Sequence, residues 1–503
     1  MSRSGHLRNL LLLLAGLLLL NALARRFTLR WDLTDDERYT LSPSTRAVLD
    51  SLPEHVTITA WFTQEMPPDL ALVRQDLKDM LVEYAARSHG QVEFSMVDPT
   101  GDEAAIRRAR QEGVRPLMAQ TREKDKAANM QVFMGAVVRM AGRKAVIPVV
   151  QRGAALEWAL TSAILEVQRT SKPTVGVMQG HGEPSTAALD QLSLGLDPTY
   201  MVETTTIYEA YPINERFHSL LLIDPVDSFP PAQLRRLEEY MAKGHGVVVA
   251  YSAVRSDLTK SAEVVQAHPS MAQWLYSQGV AINPYAVADQ RCGQIKIMQA
   301  GIPQPISIDF PYYPVIQQYT DHPVANGMDL AMFQFASPLS WNGDTTLRFM
   351  PIALSSPNSG TTPTPFTIDP QHRWTADELN AGPQVLAAAV ERNIGARSSR
   401  LVVFGNGTFC TGIQAGQPVE LPSGNIDLMV NALDWVSHNT VMLELRGKET
   451  TYRPITMPEE GRRTALKWMN LLLPMALVGL TGLLHLVWRR RQRTQRMRPG
   501  HVR

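Results

Sequence analysis

The chain has 503 residues, with 49 basic and 48 acidic side chains and a net charge of +1. Residues 1–26 carry four arginines and residues 489–503 carry seven, neither with an acid, so residues 27–488 carry a net charge of −10. This acidic middle argues against nucleic-acid binding and against docking on anionic lipid. The two cysteines, Cys292 and Cys410, form no C-x-x-C motif, so neither a zinc site nor a dithiol redox centre is indicated. Their separation leaves open whether they pair.

The first apolar segment begins at Leu10. Fifteen residues without charge, Leu10–Ala24, follow Arg3 and Arg8. We predict a transmembrane anchor at residues 10–26 behind a cytoplasmic N-terminus at residues 1–9, because tilt and flanking side chains can lengthen a short span. The alternative is a signal peptide, since Ala22-Leu23-Ala24 resembles an A-x-A cleavage site. Either alternative exports the middle of the chain.

Residues 30–152 alternate strand and helix patterns. The predicted elements are a strand at Val56–Phe62, a helix at Leu70–Arg87, a strand at Gln91–Val97, a helix at Glu103–Gln111 and a hairpin of Val132–Met140 with Lys144–Val150. The order β-α-β-α-β-β resembles a thioredoxin-like domain. The loop at Thr63–Pro68, where a thioredoxin carries its cysteine pair, has no thiol, so thiol–disulfide exchange is excluded there.

A connecting helix is predicted within residues 153–172, followed by an α/β domain at residues 173–445. Its predicted strands are Thr174–Met178, Leu220–Ile223, Gly246–Tyr251 and Arg400–Phe404, and its predicted helices are Pro231–Lys243 and Ile426–Ser437. Alternating strands and helices predict a doubly wound parallel sheet. Residues from about 286 to 383 are rich in proline, glycine and short β-like runs, which indicates a β-rich insertion. Within it, Ser355–Pro365 is predicted to be a loop.

Candidate site residues follow two of these strands. Gly180, His181, Gly182 and Glu183 come after the first strand, at the carboxyl edge where open α/β sheets bind ligands. His181 and Glu183 could act as acid and base, or bind a metal. The alternative is a tight strand-to-helix turn in which His181 packs and Glu183 caps a helix, and no second cluster with ligand spacing supports a metal. Asn406 lies in the turn after Arg400–Phe404.

Neither a nucleophile nor a phosphate-binding motif is indicated. No elbow glycines surround Ser252, and Cys410 lies six residues beyond its strand. Neither G-x-G-x-x-G nor G-x-x-x-x-G-K-[ST] occurs, so no nucleotide or other cofactor is predicted.

The C-terminal part predicts a membrane span. After a linker at residues 446–467, residues 468–488 are uncharged and have tryptophan at both ends, and twenty-one residues span about 30 Å as a helix. The seven arginines at 489–503 predict a cytoplasmic tail. Ala476, Gly479 and Gly482 offer a small-residue face for a partner helix in the membrane.

Several of these motifs together resemble one family. Asp32-Leu33-Thr34 and Glu37–Thr45 resemble the D-x-T…R-Y-S-L-S-P motif of GldG-like proteins, the gliding-motility-associated auxiliary subunits of ABC transporters. The turn at Gly180–Glu183 is similar to that family's, and Arg400–Phe409 resembles its R-x-V-V-x-G-D-S-D-F pattern. Asn406 and Thr408 stand where acids are usual in the family.

The resemblance implies an exported region similar to non-catalytic glutamine-amidotransferase-like (flavodoxin-like) domains, anchored in the bacterial inner membrane at both ends. It implies a non-enzymatic subunit that works with ABC permease and ATPase subunits and binds a small-molecule cargo or an envelope protein, with no nucleic acid as partner. Both termini are then cytoplasmic and the bulk of the chain is periplasmic, in contact with membrane lipid only through its anchors. The alternatives are an envelope hydrolase or amidotransferase-like enzyme at His181, and a structural envelope scaffold without a transporter.

Overall fold

A computed structural model describes residues 40–123, 126–150, 155–169, 171–256, 258, 261–297, 304–395, 397–414, 416–449 and 460–496. The predicted N-terminal anchor and the motif residues Asp32 to Tyr39 lie outside this described part. The residues to Thr450 form one compact unit and those from Thr451 form a second.

The first sheet and its helices contain the elements that the sequence predicts, with one additional helix and one additional strand. Its elements are α1 (Pro43–Asp50), β1 (Val56–Phe62), α2 (Pro68–Arg87), β2 (Val92–Val97), α3 (Glu103–Glu112), β3 (Pro116–Glu123), β4 (Lys126–Met140) and β5 (Arg143–Ile147). β1 pairs in parallel with β2 and antiparallel with β4, and β4 pairs with both β3 and β5. The predicted hairpin of β4 and β5 is confirmed. β3 and the first six residues of β4 were not predicted as strand; they form a second hairpin.

α4 (Ala155–Gln168) connects this sheet to a larger one. The next elements are β6 (Thr174–Met178), α5 (Asp190–Leu196), β7 (Met201–Thr205), β8 (Phe217–Ile223), α6 (Pro231–Ala242), β9 (Gly246–Ala250), β10 (Val254–Ser256), β11 (Glu263–Gln266), α7 (Ser270–Ser277) and β12 (Val280–Ile282). Later come β22 (Val385–Ile394), β23 (Arg397–Phe404), β24 (Ile413–Gln414), β25 (Gln417–Pro418), α8 (Ser423–Val436) and α9 (Thr440–Glu449).

The large sheet has helices on both faces. Its parallel part has the order β7-β6-β8-β9-β23. Side chains alternate along β8, so Leu221 and Ile223 pack with α5 and α8, whereas Leu220 and Leu222 pack with α6 and α7. Strands covered on both faces are continuous apolar runs, as β9 shows.

The prediction of a parallel sheet is wrong for its other half, which is antiparallel. β22 runs antiparallel to β23 because two residues separate these strands, and so short a connection can only make a hairpin. The sheet is therefore mixed.

The predicted insertion is β-rich, but it is not separate from the sheet. Its strands are β13 (Tyr285–Asp289), β14 (Cys292–Ile297), β15 (Ile306–Ile316), β16 (Gln318–Tyr319), β17 (Ala331–Met332), β18 (Leu339–Trp341), β19 (Arg348–Leu354), β20 (Ser359–Pro363) and β21 (Phe366–Thr367). β18 and β19 both pair with β22 and so extend the large sheet. The predicted loop at Ser355–Pro365 is wrong in part, because β20 pairs with β13.

The second unit contains one long helix, α10 (Glu460–Arg496), which continues through Pro474. The predicted linker at 446–467 is shorter than expected, because residues 446–449 belong to α9 and residues 460–467 to α10. The predicted tail is helical as far as Arg496.

Candidate functional site

The carboxyl ends of four parallel strands bring four short segments to one edge of the large sheet. β6, β8, β9 and β23 run in the same direction, so the residues after each strand lie side by side. The segment after β6 holds the predicted Gly180–Glu183 turn, and the segment after β23 holds Asn406.

The Gly180–Glu183 turn requires both of its glycines. Gly180 has a φ of 120° and Gly182 a φ of 76°, a region that side chains with a β-carbon rarely adopt. A β-carbon on Gly182 would also lie 3.0 Å from Cβ of Val226. The backbone N–H groups of Val226 and Asp227 each donate to the His181 carbonyl at 2.8 Å. The turn is thereby docked on the segment that follows β8.

The His181 ring is packed rather than open to solvent. It is 5% exposed and stacks on Phe229 with ring centroids 3.8 Å apart. Its Nε2 lies 2.7 Å from Oε1 of Gln233. Because Nε2 of Gln233 donates to the Ile207 carbonyl, its Oε1 is an acceptor, and this assigns the proton to Nε2 of His181.

Glu183 lies beside His181, and its side chain is only 1% exposed. Its Oε2 accepts a 2.6 Å hydrogen bond from the backbone N–H of His181, and its Oε1 lies 3.6 Å from Nδ1 of the ring. Burial by itself lowers the pKa of His181, but the Glu183 carboxylate, with Gln233 and Asp227, outweighs it and the pKa is raised. Burial likewise raises the pKa of Glu183, but the contacts with His181 outweigh it and the pKa is lowered. The two side chains therefore favour a buried ion pair.

The next segment holds an ion pair that the sequence analysis missed. Asp224 follows β8 with a φ of 44°, and its N–H donates to the Ala250 carbonyl. Nη1 and Nη2 of Arg255 donate to its two carboxylate oxygens at 3.0 and 3.1 Å, and Nη2 also donates to the Pro225 carbonyl at 2.8 Å. The available signal was an Asp-Pro pair directly after an apolar strand, at the edge where ligands bind.

The turn after β23 packs against this ion pair. A β-carbon on Gly407 would collide with the Asp224 carboxylate, so glycine is needed there. The N–H of Gly407 donates to Oγ of Ser252 at 2.9 Å. The turn after β23 thus contacts both the segment after β8, at Asp224, and the segment after β9, at Ser252.

Asn406 holds a neighbouring loop. Its Nδ2 donates to the Gln334 carbonyl at 2.7 Å, and its Oδ1 accepts from the Gln334 N–H at 3.2 Å. Nδ2 also donates to Oγ1 of Thr408 at 3.2 Å. Among the hydrogen bonds of the described residues, none joins Asn406 to His181, so the two predicted site residues belong to separate networks.

Both cysteines are free thiols with raised pKa values. Complete burial raises the pKa of Cys410 to about 12, and burial raises that of Cys292 to about 11. Thiols with such pKa values are protonated near neutral pH and are poor nucleophiles. Within the described part of the chain, no three His, Cys, Asp or Glu side chains are grouped so that they could hold a metal ion.

In the second unit, one described helix is long and apolar enough to cross a membrane. Residues Gly461–Arg491 of α10 form the candidate span, which contains an 18-residue stretch with a mean hydropathy of 2.0. Ala476, Gly479 and Gly482 are exposed on it, and no atom lies within 4 Å of a β-carbon built on either glycine.

Three similar solved structures are all distant matches. The N-terminal domain of mmIFT52 is 12% identical, with a TM-score of 0.35 over 52% of this chain and 97% of that one. A putative ThuA-like protein from Parabacteroides merdae is 13% identical, with a TM-score of 0.30 over 53% and 90%. An exo-β-1,4-mannosidase from Opitutaceae bacterium strain TAV5 is 12% identical, with a TM-score of 0.21 over 52% and 35%.

Comparison with protein families is more informative. No curated protein matches the chain. A domain of unknown function, DUF7088, matches residues 35–139. The family described as an ABC-type uncharacterized transport system matches residues 172–432, slightly more than half of the chain. The chain therefore belongs to this family and is an auxiliary component of an ABC-type transport system.

Proposed function

We propose that the chain is a non-enzymatic, GldG-like subunit that is anchored in the bacterial inner membrane and binds a partner or cargo through its periplasmic region. One observation carries the non-enzymatic assignment: the chemically capable side chains at the sheet edge are bound to one another. His181 is held by Phe229, Gln233 and Glu183, and Asp224 by Arg255. A catalytic acid or base needs a lone pair or proton directed at a substrate.

The α/β region resembles glutamine amidotransferases, but its side chains fit a binding role better than catalysis. Such an enzyme needs an activated nucleophile at this edge. Ser252 is buried and its Oγ accepts the Gly407 N–H, while Cys410 is fully buried with its pKa raised to about 12. We therefore propose that the fold of an enzyme family serves here as a scaffold for binding.

The first sheet supports the thioredoxin-like assignment and a role without redox chemistry. β2, β1, β4 and β5 lie in the order and directions of that fold. Where a reactive cysteine would follow β1, Thr63 is buried and exchanges two 3.0 Å hydrogen bonds with the backbone of Phe133. We propose that this domain contributes contacts rather than electron transfer.

The anchoring rests on α10 and on the charges that flank it. The arginines from Arg489 onward predict that this end is cytoplasmic, and the apolar span then leads to a periplasmic α/β unit. A reporter that is active only in the cytoplasm should be active when it is fused after Arg503. Activity of a reporter that works only in the periplasm, fused at the same position, would refute this orientation.

Association with the transporter can be tested on the small-residue face of α10. Close packing drives helix association in lipid, so replacing Ala476, Gly479 and Gly482 together by leucine should release a permease from the complex. The chain is purified from native membranes in mild detergent, with and without cross-linking, and its partners are identified by mass spectrometry. The wild type should retain a permease and an ATPase.

A matched control has the same spacing one residue earlier. Met475, Val478 and Thr481, replaced together by leucine, alter a face about 100° away on the helix and should leave the complex intact. Wild-type protein that purifies without a permease or ATPase even after cross-linking would favour the structural scaffold. Equal release by both triple variants would refute the assigned face.

A further inference from the structure

β7 is an edge strand with an unpaired side. In the described residues its one sheet neighbour is β6, which it meets through bonds such as Met201 N–H to Pro173 O and Gln179 N–H to Thr205 O. Backbone groups alternate along a parallel strand, so Val202 and Thr204 direct their N–H and C=O groups away from β6. Such an edge is a template for another strand.

A groove of about 630 Å³ runs beside this edge. Val177, Val202 and Thr204 of the sheet line it, together with side chains of α5. Leu194 and Met201, which also line it, are 75% and 54% exposed. Unpaired backbone and exposed apolar side chains thus occur at one place, the combination that binds an extended peptide by strand addition.

The groove also carries negative charge. Asp190 and Asp197 both line it and are exposed. Lys172 lies 3.8 Å from Asp197, whereas Asp190 makes no ion pair with any described residue. The lining contains no basic side chain, so the charge of Asp190 is available to an occupant.

We propose that this edge binds an extended segment of a partner polypeptide with alternating apolar and basic side chains, added as a strand to β7. The backbone groups of Val202 and Thr204 would pair with the segment. Its basic side chains would lie on the face covered by α5, near Asp190, and its apolar side chains on the opposite face, against Met201. A second copy of this chain fits less well, because a two-fold contact would place acidic grooves against each other. This inference does not depend on the proposed function at the carboxyl edge.

The test uses the full-length chain in detergent micelles and a capped seven-residue peptide of alternating valine and lysine. A peptide with glutamate in place of lysine is the matched control. The lysine peptide should bind in fluorescence anisotropy, more weakly as salt rises, and should slow hydrogen exchange at the amides of Val202 and Thr204. The glutamate peptide should do neither.

Variants locate the binding. Asp190→Lys should weaken binding of the lysine peptide at least about tenfold, because like charges then meet. Thr204→Pro removes one outward N–H and leaves the ladder to β6 intact, and proline is tolerated at such edge positions. It should abolish binding without lowering the unfolding midpoint. If Thr204→Pro disturbs folding, Leu194→Lys is used in its place, because this exposed side chain lines the groove and a lysine there should repel the lysine peptide.

Three results would overturn the inference. Equal binding of the two peptides would remove the charge argument, and binding without protection of Val202 and Thr204 would remove β7 as the site. A peptide-free dimer in sedimentation, with these amides already protected, would assign the edge to a second copy instead.

Discussion

The guanidinium of Arg446 donates a 2.6 Å hydrogen bond to the carboxylate of Asp434 and so ties α9 to α8. Asp434 is fully buried and also accepts from the Tyr200 hydroxyl at 2.6 Å and from Nδ2 of Asn439 at 3.0 Å. α9 is the last described element before α10, and it also packs against α4 and bonds to α1 through Ser44 and Glu444. This one charge pair therefore helps to hold the end of the first unit.

Arg446→Met should strongly destabilise the first unit. The substitution leaves a buried carboxylate without its cation, which costs about 3–5 kcal/mol. Adding Asp434→Asn should recover part of the loss, because the buried charge is then removed as well. Urea denaturation of the full chain, followed by tryptophan fluorescence, measures both. Arg108→Met, at an exposed arginine, is the control and should change the free energy of unfolding little. An equally small change for Arg446→Met would contradict the prediction.

Gly182→Ala should cost more free energy of unfolding than Gly101→Ala. Both glycines have positive φ, at 76° and 82°, so both substitutions should cost roughly 1 kcal/mol for backbone strain. Only at Gly182 does the new β-carbon meet an atom, 3.0 Å away on Val226. Urea midpoints of the two variants measure the difference. The difference between the two variants should narrow when both are measured in a Val226→Gly background, because that substitution removes the Cβ atom in contact. An unchanged difference would place the strain elsewhere.

The His181–Glu183 pair should stabilise the fold most between pH 4.5 and 6.5, the ordinary pKa values of the two groups. The raised pKa of His181 gives stability that is complete below 6.5 and is lost as pH rises through the folded-state value. The lowered pKa of Glu183 gives stability that is complete above 4.5 and is lost as pH falls through its folded-state value.

Glu183→Gln isolates this contribution, since glutamine keeps the acceptor for the His181 N–H. The difference in unfolding free energy between wild type and variant should be largest within that window and should shrink on both sides of it. Measuring both proteins from pH 3.5 to 9 cancels the titration of the other groups. A difference that does not vary with pH would show that the pair contributes no charge interaction.

Asn406→Asp should destabilise the protein at pH 7, although acids are usual at this position in the family that the sequence resembles. The aspartate cannot donate to the Gln334 carbonyl, which now accepts at 2.7 Å, and an unsatisfied buried group costs about 1–3 kcal/mol. Stability relative to wild type should recover at acidic pH, where a protonated carboxyl can donate again. Asn393→Asp, on an exposed part of β22, should show no such recovery. A neutral Asn406→Asp at pH 7 would mean that the loop does not depend on this bond.

Elements whose pattern is local agree closely with their prediction. β1 and β6 have the predicted bounds, and α6 ends one residue before the predicted end, because apolar periodicity and flanking prolines and glycines act within a few residues. β3 was missed because its sequence, PLMAQTRE, has no strand pattern, and pairing with β4 makes it a strand. The sequence of β20 predicts a loop because its Ser, Thr and Pro residues favour turns, and β13 supplies the pairing that makes it a strand.

From the sequence one can infer the charge distribution, the apolar C-terminal span, the alternating α/β order and the glycine turn at Gly180–Glu183. Each of these depends on residues close together in the chain. Three other features required the folded structure: the large sheet is mixed, Asn406 bonds to Gln334 rather than to the turn at His181, and the Asp224–Arg255 ion pair packs against Gly407. These contacts join residues that are 31 to 183 positions apart or depend on the order of strands, and only packing brings such residues within hydrogen-bond distance.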